Sequence, residues 1–228
     1  MHIGILLCGH PPETVSARHG DFSAIFAKLF EGQGLSFESW DVEAMAFPES
    51  IDAAEGWLLT GSRHGAYEDH PFIAPLSAFI EAVHAAKKPM VGICFGHQII
   101  AQALGGRVEK YSGGWALGRQ VYDYAGAEIA LNAWHQDQVV ARPPEARQLA
   151  SSAFCENAAL VYGDHLMTLQ PHPEISDEIL RDYLVARRGD PAYPPDIFDQ
   201  ASAQLGLPVD NAAIAARLAR FLKDARPS

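Results

Sequence analysis

Residues 88–106 read KPMVGICFGHQIIAQALGG, and their order decides how the chain folds. Met90 to Ile93 is a short apolar run of strand type. Cys94 follows, fenced by Gly92 and Gly96, and helix-type sequence starts at once, closing on Gly105-Gly106. A strand that breaks directly into a helix at a glycine-framed residue is an elbow, where a strained backbone pushes one side chain outward. In an open parallel sheet, sites form just past the carboxyl ends of strands, and the helix start aims its amides and positive dipole end at them. That setting favours thiolate over thiol, and the thiolate is the nucleophile. A buried structural cysteine is the alternative use of the same residue.

Outward from the elbow, apolar runs alternate with amphipathic segments. Residues 2–8, 35–42 and 56–59 read as strands. Residues 21–30 read as a helix capped by Asp21, and 71–88 as a helix with Pro71 in its first turn and two lysines near its end. This β-α-β-α-β-α order predicts an α/β fold, an open and mostly parallel sheet with helices on both faces. Beyond Gly106 the pattern changes to short β-type runs (107–111, 118–124, 127–133, 147–150, 159–162, 165–170), which predict an antiparallel or mixed extension of the same sheet. Helix-type sequence returns at 176–188 and 211–223, with a proline-rich joint at 191–195. The expected organisation is one domain over residues 1–188 and a helical appendage, 189–228, packed on it or on a partner.

Composition narrows the function. Seventeen Lys and Arg against twenty-eight Asp and Glu give a net charge of −11, which repels phosphate backbones and anionic lipid. Nucleic acid and membrane are therefore not expected as partners, and no apolar run reaches the roughly 18 residues of a membrane span. MHIGILLCGH reads as a first strand rather than a signal peptide, since it lacks a basic flank and a small-residue cleavage site. Three cysteines, Cys8, Cys94 and Cys155, cannot all pair, which suits a reduced, cytoplasmic setting. His97 makes a C-x-x-H with Cys94, but no further ligand pair has metal spacing, so neither metal nor cofactor is expected.

A thiolate nucleophile needs a proton-transfer partner held by a third group. Among ten histidines, one has a carboxylate two residues on and a strand-like run before it: LMTLQPHPEIS, with His172 and Glu174. In an extended segment the i, i+2 spacing puts both side chains on one side. The other use of Glu174 is to open the next helix, where acids are favoured.

GICFGHQ with IIAQALGG, and QPHPE well downstream, resemble the class I glutamine amidotransferase family, whose pattern is G-x-C-x-G-x-Q with a distal H-P-E. The resemblance covers about residues 1–185 and implies a flavodoxin-like fold in agreement with the reading above. It implies that Cys94 attacks a side-chain amide to form a γ-glutamyl thioester, with His172 as base and then acid and Glu174 orienting it. Oxyanion donors are implied at the Phe95 N–H and in LLTGS. There the family has two glycines and this chain has Gly61-Ser62; Ser62 is the favoured donor, with Gly61 its flexible neighbour. Gln98 matches a substrate-holding position. In NAWHQDQV, His135 marks the stretch whose amides, at Gln136 and Asp137, would bind the substrate α-carboxylate. Asp137 or Asp164 would take the α-ammonium.

No phosphate-binding loop occurs, so ammonia would pass to a separate synthetase or the thioester is simply hydrolysed. GICFGHQIIAQALGG, SGGWALG, WHQDQV and YGDHLMTLQPHPE are similar to stand-alone members, including the plant-type cytosolic γ-glutamyl peptidases. The loop GSRHGAYED would then contact a leaving group larger than ammonia. The expected function is hydrolysis of a γ-glutamyl amide in a small-molecule substrate, glutamine or a γ-glutamyl compound. The alternative is a glutaminase subunit with a synthetase partner. Homo-oligomerisation stays open, as does a binding module that has lost catalysis.

Overall fold

The structure, a computed structural model, describes residues 1–194 and 196–225, so Pro195 of the proline-rich joint and the last three residues of the appendage lie outside the described residues. In chain order the elements are β1 His2–Leu7, α1 Glu13–His19, α2 Phe22–Leu29, β2 Ser36–Asp41, β3 Gly56–Leu59, α3 Ile73–Ala85, β4 Met90–Ile93 and α4 Phe95–Ala103. There follow β5 Arg107–Lys110, β6 Ala116–Tyr124, β7 Ala127–His135, β8 Asp137–Ala141, β9 Ala146–Ser151, β10 Ala159–Tyr162, β11 Leu166–Leu169, α5 Asp177–Arg187, α6 Ile197–Ala203 and α7 Asn211–Asp224.

Nine strands form one open sheet in the order β2-β1-β3-β4-β11-β10-β9-β6-β7. The first five are mutually parallel, and β10, β9, β6 and β7 continue it antiparallel. The expected architecture is the one observed. One departure is β5, expected to extend the main sheet, which instead pairs with β8 in a separate two-stranded ribbon.

The period of two along the strands sorts the core into two layers. Ile3, Ile5, Leu58, Val91 and Ile93 face one cluster, completed by Phe22 and Phe26 of α2 and by residues of α5 and α7. Leu6, Trp57, Leu59 and Met90 face the other, completed by Leu76 and Ile80 of α3 and by Phe95, Ile99 and Ile100 of α4. Each fully buried large side chain contributes about 1.5–3 kcal/mol relative to exposure.

Asp21 caps α2 as expected, accepting from the Ala24 N–H at 2.9 Å. The helix expected over 71–88 is shorter. Pro71 lies ahead of its first turn, and Lys87 (φ 51°) and Lys88 lie past its end, where Lys88 Nζ reaches Asp52 at 2.8 Å. The helix α7 buries Ile214, Ala215, Leu218, Ala219 and Leu222 in the first cluster. Just before it, Asp210 grips the sheet edge: its N–H donates to Ala130 O and its Oδ2 accepts from the Ala130 N–H, both at 2.7 Å. Among the described residues no helix is long and apolar enough to cross a membrane.

Candidate active site

Strict alternation along β4 would send Cys94 to the layer of α4, yet it packs with the opposite cluster. The cause is its backbone, φ 54° and ψ −103°, a left-handed conformation that costs on the order of 1–3 kcal/mol in a non-glycine residue. The elbow is locked from three sides. The Cys94 N–H donates to Leu169 O at 2.8 Å, the Gly96 N–H to Thr60 O at 3.1 Å, and the Gln98 N–H to Cys94 O at 3.1 Å. Among the described residues, the Phe95 N–H at the start of α4 has no backbone acceptor. The Cys94 side chain remains 6% exposed and opens onto a cavity of about 360 Å³.

The histidine expected to serve the thiol stands just past β11, neighbour of β4. The His172 N–H donates to Asn132 O at 2.8 Å in an isolated bridge that fixes the segment between its two prolines. Its Nδ1 meets Glu174 Oε1 at 2.7 Å, and the Glu174 side chain is fully buried. That bond leaves Nε2 without a hydrogen-bond partner among the described residues, although the Cys94 sulfur lies near enough to influence the ring. Such contacts lengthen in unliganded sites and tighten when substrate arrives. Burial alone would push the imidazole down; the Glu174 charge and the Cys94 sulfur outweigh it and hold its pKa well above the ordinary histidine value.

A group whose pKa rises on folding contributes stability that is complete below its unfolded pKa, near pH 6.5, and is lost as pH rises through the folded value. Glu174→Gln removes the strongest upward influence and leaves only the Cys94 sulfur to oppose burial. The His172 ring should then titrate at lower pH by NMR, and the alkaline loss of stability should move down with it. An unmoved titration would show that this carboxylate does not hold the proton.

The remaining cysteines differ from Cys94. Cys8 and Cys155 are buried, burial drives both thiols up (Cys155 to about 12), and all three cysteines are free. His97, fully buried with Nδ1 2.7 Å from Thr168 Oγ1, is pushed down to about 3 by burial and stays neutral.

Gly61 and Ser62 line the cavity beside Cys94. A methyl added to Gly61 would stand 3.3 Å from His172 Cε1 and 3.8 Å from Cys94 Cβ, so this turn abuts both groups. Gln98, His135, Gln136 and Asp137 line the cavity as well. Gln98 Nε2 donates to Asp137 O (3.0 Å) and Gln170 Oε1 (3.1 Å), and Gln136 Nε2 donates to Tyr111 O (3.2 Å). His135 is buried, with Nδ1 3.2 Å from Asp137 O; burial and then the His172 charge push it down to about 3, so it is neutral beside a charged ring. Burial raises the Asp137 carboxyl, and Tyr67 and Lys110 across the cavity oppose that.

Asp164 requires a correction. It lies in the turn before β11, and β11 runs parallel to β4, so that turn is at the opposite end of the sheet from Cys94. Its side chain is 84% exposed and faces only His165, so it cannot meet a substrate at Cys94.

The loop GSRHGAYED, expected to contact a leaving group, reaches the cavity through Arg63, His64, Tyr67 and Glu68, with Tyr67 on the Asp137 side. Trp115 of SGGWALG and Trp134 of NAWHQDQV line it too, whereas Lys110, Tyr183, Arg187 and Tyr193, also in the lining, carried no sequence signal. At the rim, His64, Glu68 and His70 bring ligand atoms within 4.8 Å of one another, the one set with metal-like spacing among the described residues. Both histidines make ordinary histidine–carboxylate bonds, His64 to Glu43 at 2.9 Å and His70 to Glu68 at 2.8 Å.

Comparison with known proteins places this geometry in context. Residues 48–187 match the model of the family described as glutamine amidotransferase class-I. Over 185 residues the chain is 31% identical to γ-glutamyl peptidase 3 of Arabidopsis thaliana, covering 74% of each chain. Over 143 residues it is 35% identical to the glutamine-hydrolysing GMP synthase of Thermomicrobium roseum, covering 57% of this chain and 26% of that protein. In structure it is similar to a glutamine amidotransferase from Thermotoga maritima, with a TM-score of 0.73 at 22% identity, covering 98% of this chain and 97% of the other.

Proposed function

The chain belongs to the class I glutamine amidotransferase family, and from that premise we propose that it hydrolyses γ-glutamyl amides through a thioester on Cys94. The observation that carries this reading is the meeting of a strained-elbow cysteine with a buried His172–Glu174 pair on one cavity wall.

In the proposed reaction the Cys94 sulfur attacks the γ-carbonyl carbon of the substrate. The oxygen takes the negative charge and is met by the Phe95 N–H and by the amide of Ser62, with Gly61 giving that turn its freedom. One such donor is worth roughly 3–4 kcal/mol in measured hydrolases. Collapse of the tetrahedral adduct breaks the C–N bond, and His172 delivers its proton to the departing nitrogen. Water then enters, His172 takes one of its protons, and the resulting hydroxide opens the thioester to give glutamate and the free thiol. Glu174 stabilises the imidazolium at each stage. Gln98, His135 and the amides of Gln136 and Asp137 hold the amino-acid end of the glutamyl group.

A second reading rests on the similarity to the GMP synthase: a glutaminase that passes ammonia to a synthetase partner. The two separate in one assay. Purified chain without partner or ATP should release glutamate from γ-glutamyl-p-nitroanilide and glutathione, with glutamine turned over more slowly. Glutamine turnover that emerges only when a second protein is added, with peptides untouched, would replace the hydrolase by the glutaminase.

A further inference from the structure

The leaving nitrogen must lie within reach of His172, because that ring gives it a proton. The residues that line the cavity come from elements on both sides of the sheet. Along β7, Trp134 and His135 point to opposite faces. His135 goes with Gln98 and Asp137, the side proposed for the glutamyl group, while Trp134 goes to the layer of Ile175, Tyr183 and Tyr193.

That second side is a wall of rings. Trp115 and Tyr193 lie 4.3 Å apart between centroids, Trp134 and Tyr193 5.8 Å, and Trp134 and Tyr183 5.3 Å. Both of its indole N–H groups are already engaged. Trp134 Nε1 donates to the Tyr193 hydroxyl and Trp115 Nε1 to Ala192 O, each at 3.1 Å. The wall therefore offers ring faces and no free indole N–H. Ammonia, the leaving group of glutamine, would use none of it. Arg187 stands on the same side, 3.9 Å from Asp190 and partly exposed, where a carboxylate could meet it.

Resting on the hydrolase reading, we infer that this wall is the leaving-group subsite and that the departing amine carries an aromatic ring. Two sources share that chemistry, an aromatic amino acid and a simple aromatic amine. Ring–ring contact adds to area burial, and together they should favour a ring-bearing substrate about 10- to 100-fold in kcat/KM.

The test compares γ-Glu-Phe, γ-Glu-Gly and γ-glutamylphenethylamide on the purified chain. A kcat/KM for γ-Glu-Phe at least about tenfold above γ-Glu-Gly is expected. Trp115→Ala should collapse that ratio, and Trp115→Phe, which keeps a flat face, should retain most of it. Preference for γ-Glu-Phe over the phenethylamide, erased in Arg187→Gln, identifies an amino acid as the source; equal turnover of the two identifies an amine. Equal hydrolysis of γ-Glu-Phe and γ-Glu-Gly, or a ratio unmoved by Trp115→Ala, overturns the inference and leaves the hydrolase standing. No turnover of any of the three, with glutathione still cleaved, overturns the inference alone; no turnover of the three or of glutathione overturns both.

Discussion

Cys94→Ser should lower the release of glutamate from a γ-glutamyl amide at least about a thousandfold, as removal of one member of a catalytic triad does elsewhere. The exchange is nearly isosteric, so the positive-φ backbone, the bond from the Cys94 N–H to Leu169 and the packing of α4 should persist, and melting should change little. What changes is the ease of ionisation. The Glu174 charge and the Cys94 sulfur hold the His172 pKa well above its ordinary value, which favours an imidazolium beside the sulfur. Such a pair stabilises a thiolate, whereas a hydroxyl remains un-ionised beside it and must lose its proton during attack. The check is twofold: steady-state rates on γ-glutamyl-p-nitroanilide, and mass spectrometry of the wild-type chain quenched during turnover, where a glutamyl adduct should map to Cys94. Activity in the serine variant within tenfold of wild type would remove the thioester mechanism.

Most of the parallel half of the fold was legible because β1, β3 and β4 bury both faces and read as continuous apolar runs, whereas the edge strand β2, SFESWD, stays largely exposed. Glycines at the elbow and acid–histidine spacing carried the groups around Cys94 in the same way, through neighbours in sequence. The unread elements had weaker local signals. In α1, ETVSARH buries only Val15 and has no side-chain cap. In β8, DQVVA directly follows His135 and Gln136 and pairs with β5 away from the main sheet. The aromatic wall was not legible as a unit, although SGGWALG and NAWHQDQV hold two of its rings, because Trp115, Trp134, Tyr183 and Tyr193 lie on four separate segments that only tertiary packing unites. Asp164 does not reach the site because the direction of β11, which the sequence does not give, carries it and His172 to opposite ends of that strand.

Gly96→Ala should be the most damaging single-methyl change at the elbow. A Cβ there would lie 2.5 Å from Leu59 O and 2.8 Å from Leu59 Cβ, and a Cβ on Gly92 would lie 2.5 Å from Gly96 O. The nearest obstacles are backbone atoms of β3 and α4, which cannot rotate aside as a flexible side chain would. The added methyl must therefore push α4 off β3, stretching the bond from the Gly96 N–H to Thr60 O and moving Cys94 relative to Gly61 and Ser62. Overpacking of this kind costs roughly 3 kcal/mol, equivalent to a fall in Tm of about 6–12 °C for a chain of this length. Activity per folded molecule should fall further, since a displacement of about 1 Å at a reacting group can cost about a hundredfold. Gly126→Ala is the control: its φ of 85° strains the substitution, but a methyl there meets nothing within 4 Å, so catalysis should survive in whatever folds. Loss of activity in Gly96→Ala with Tm unchanged would mean that the helix start moves without loosening the sheet. Full activity with unchanged Tm would mean that the close approach of α4 to β3 does not position the cysteine, and the elbow would lose its role.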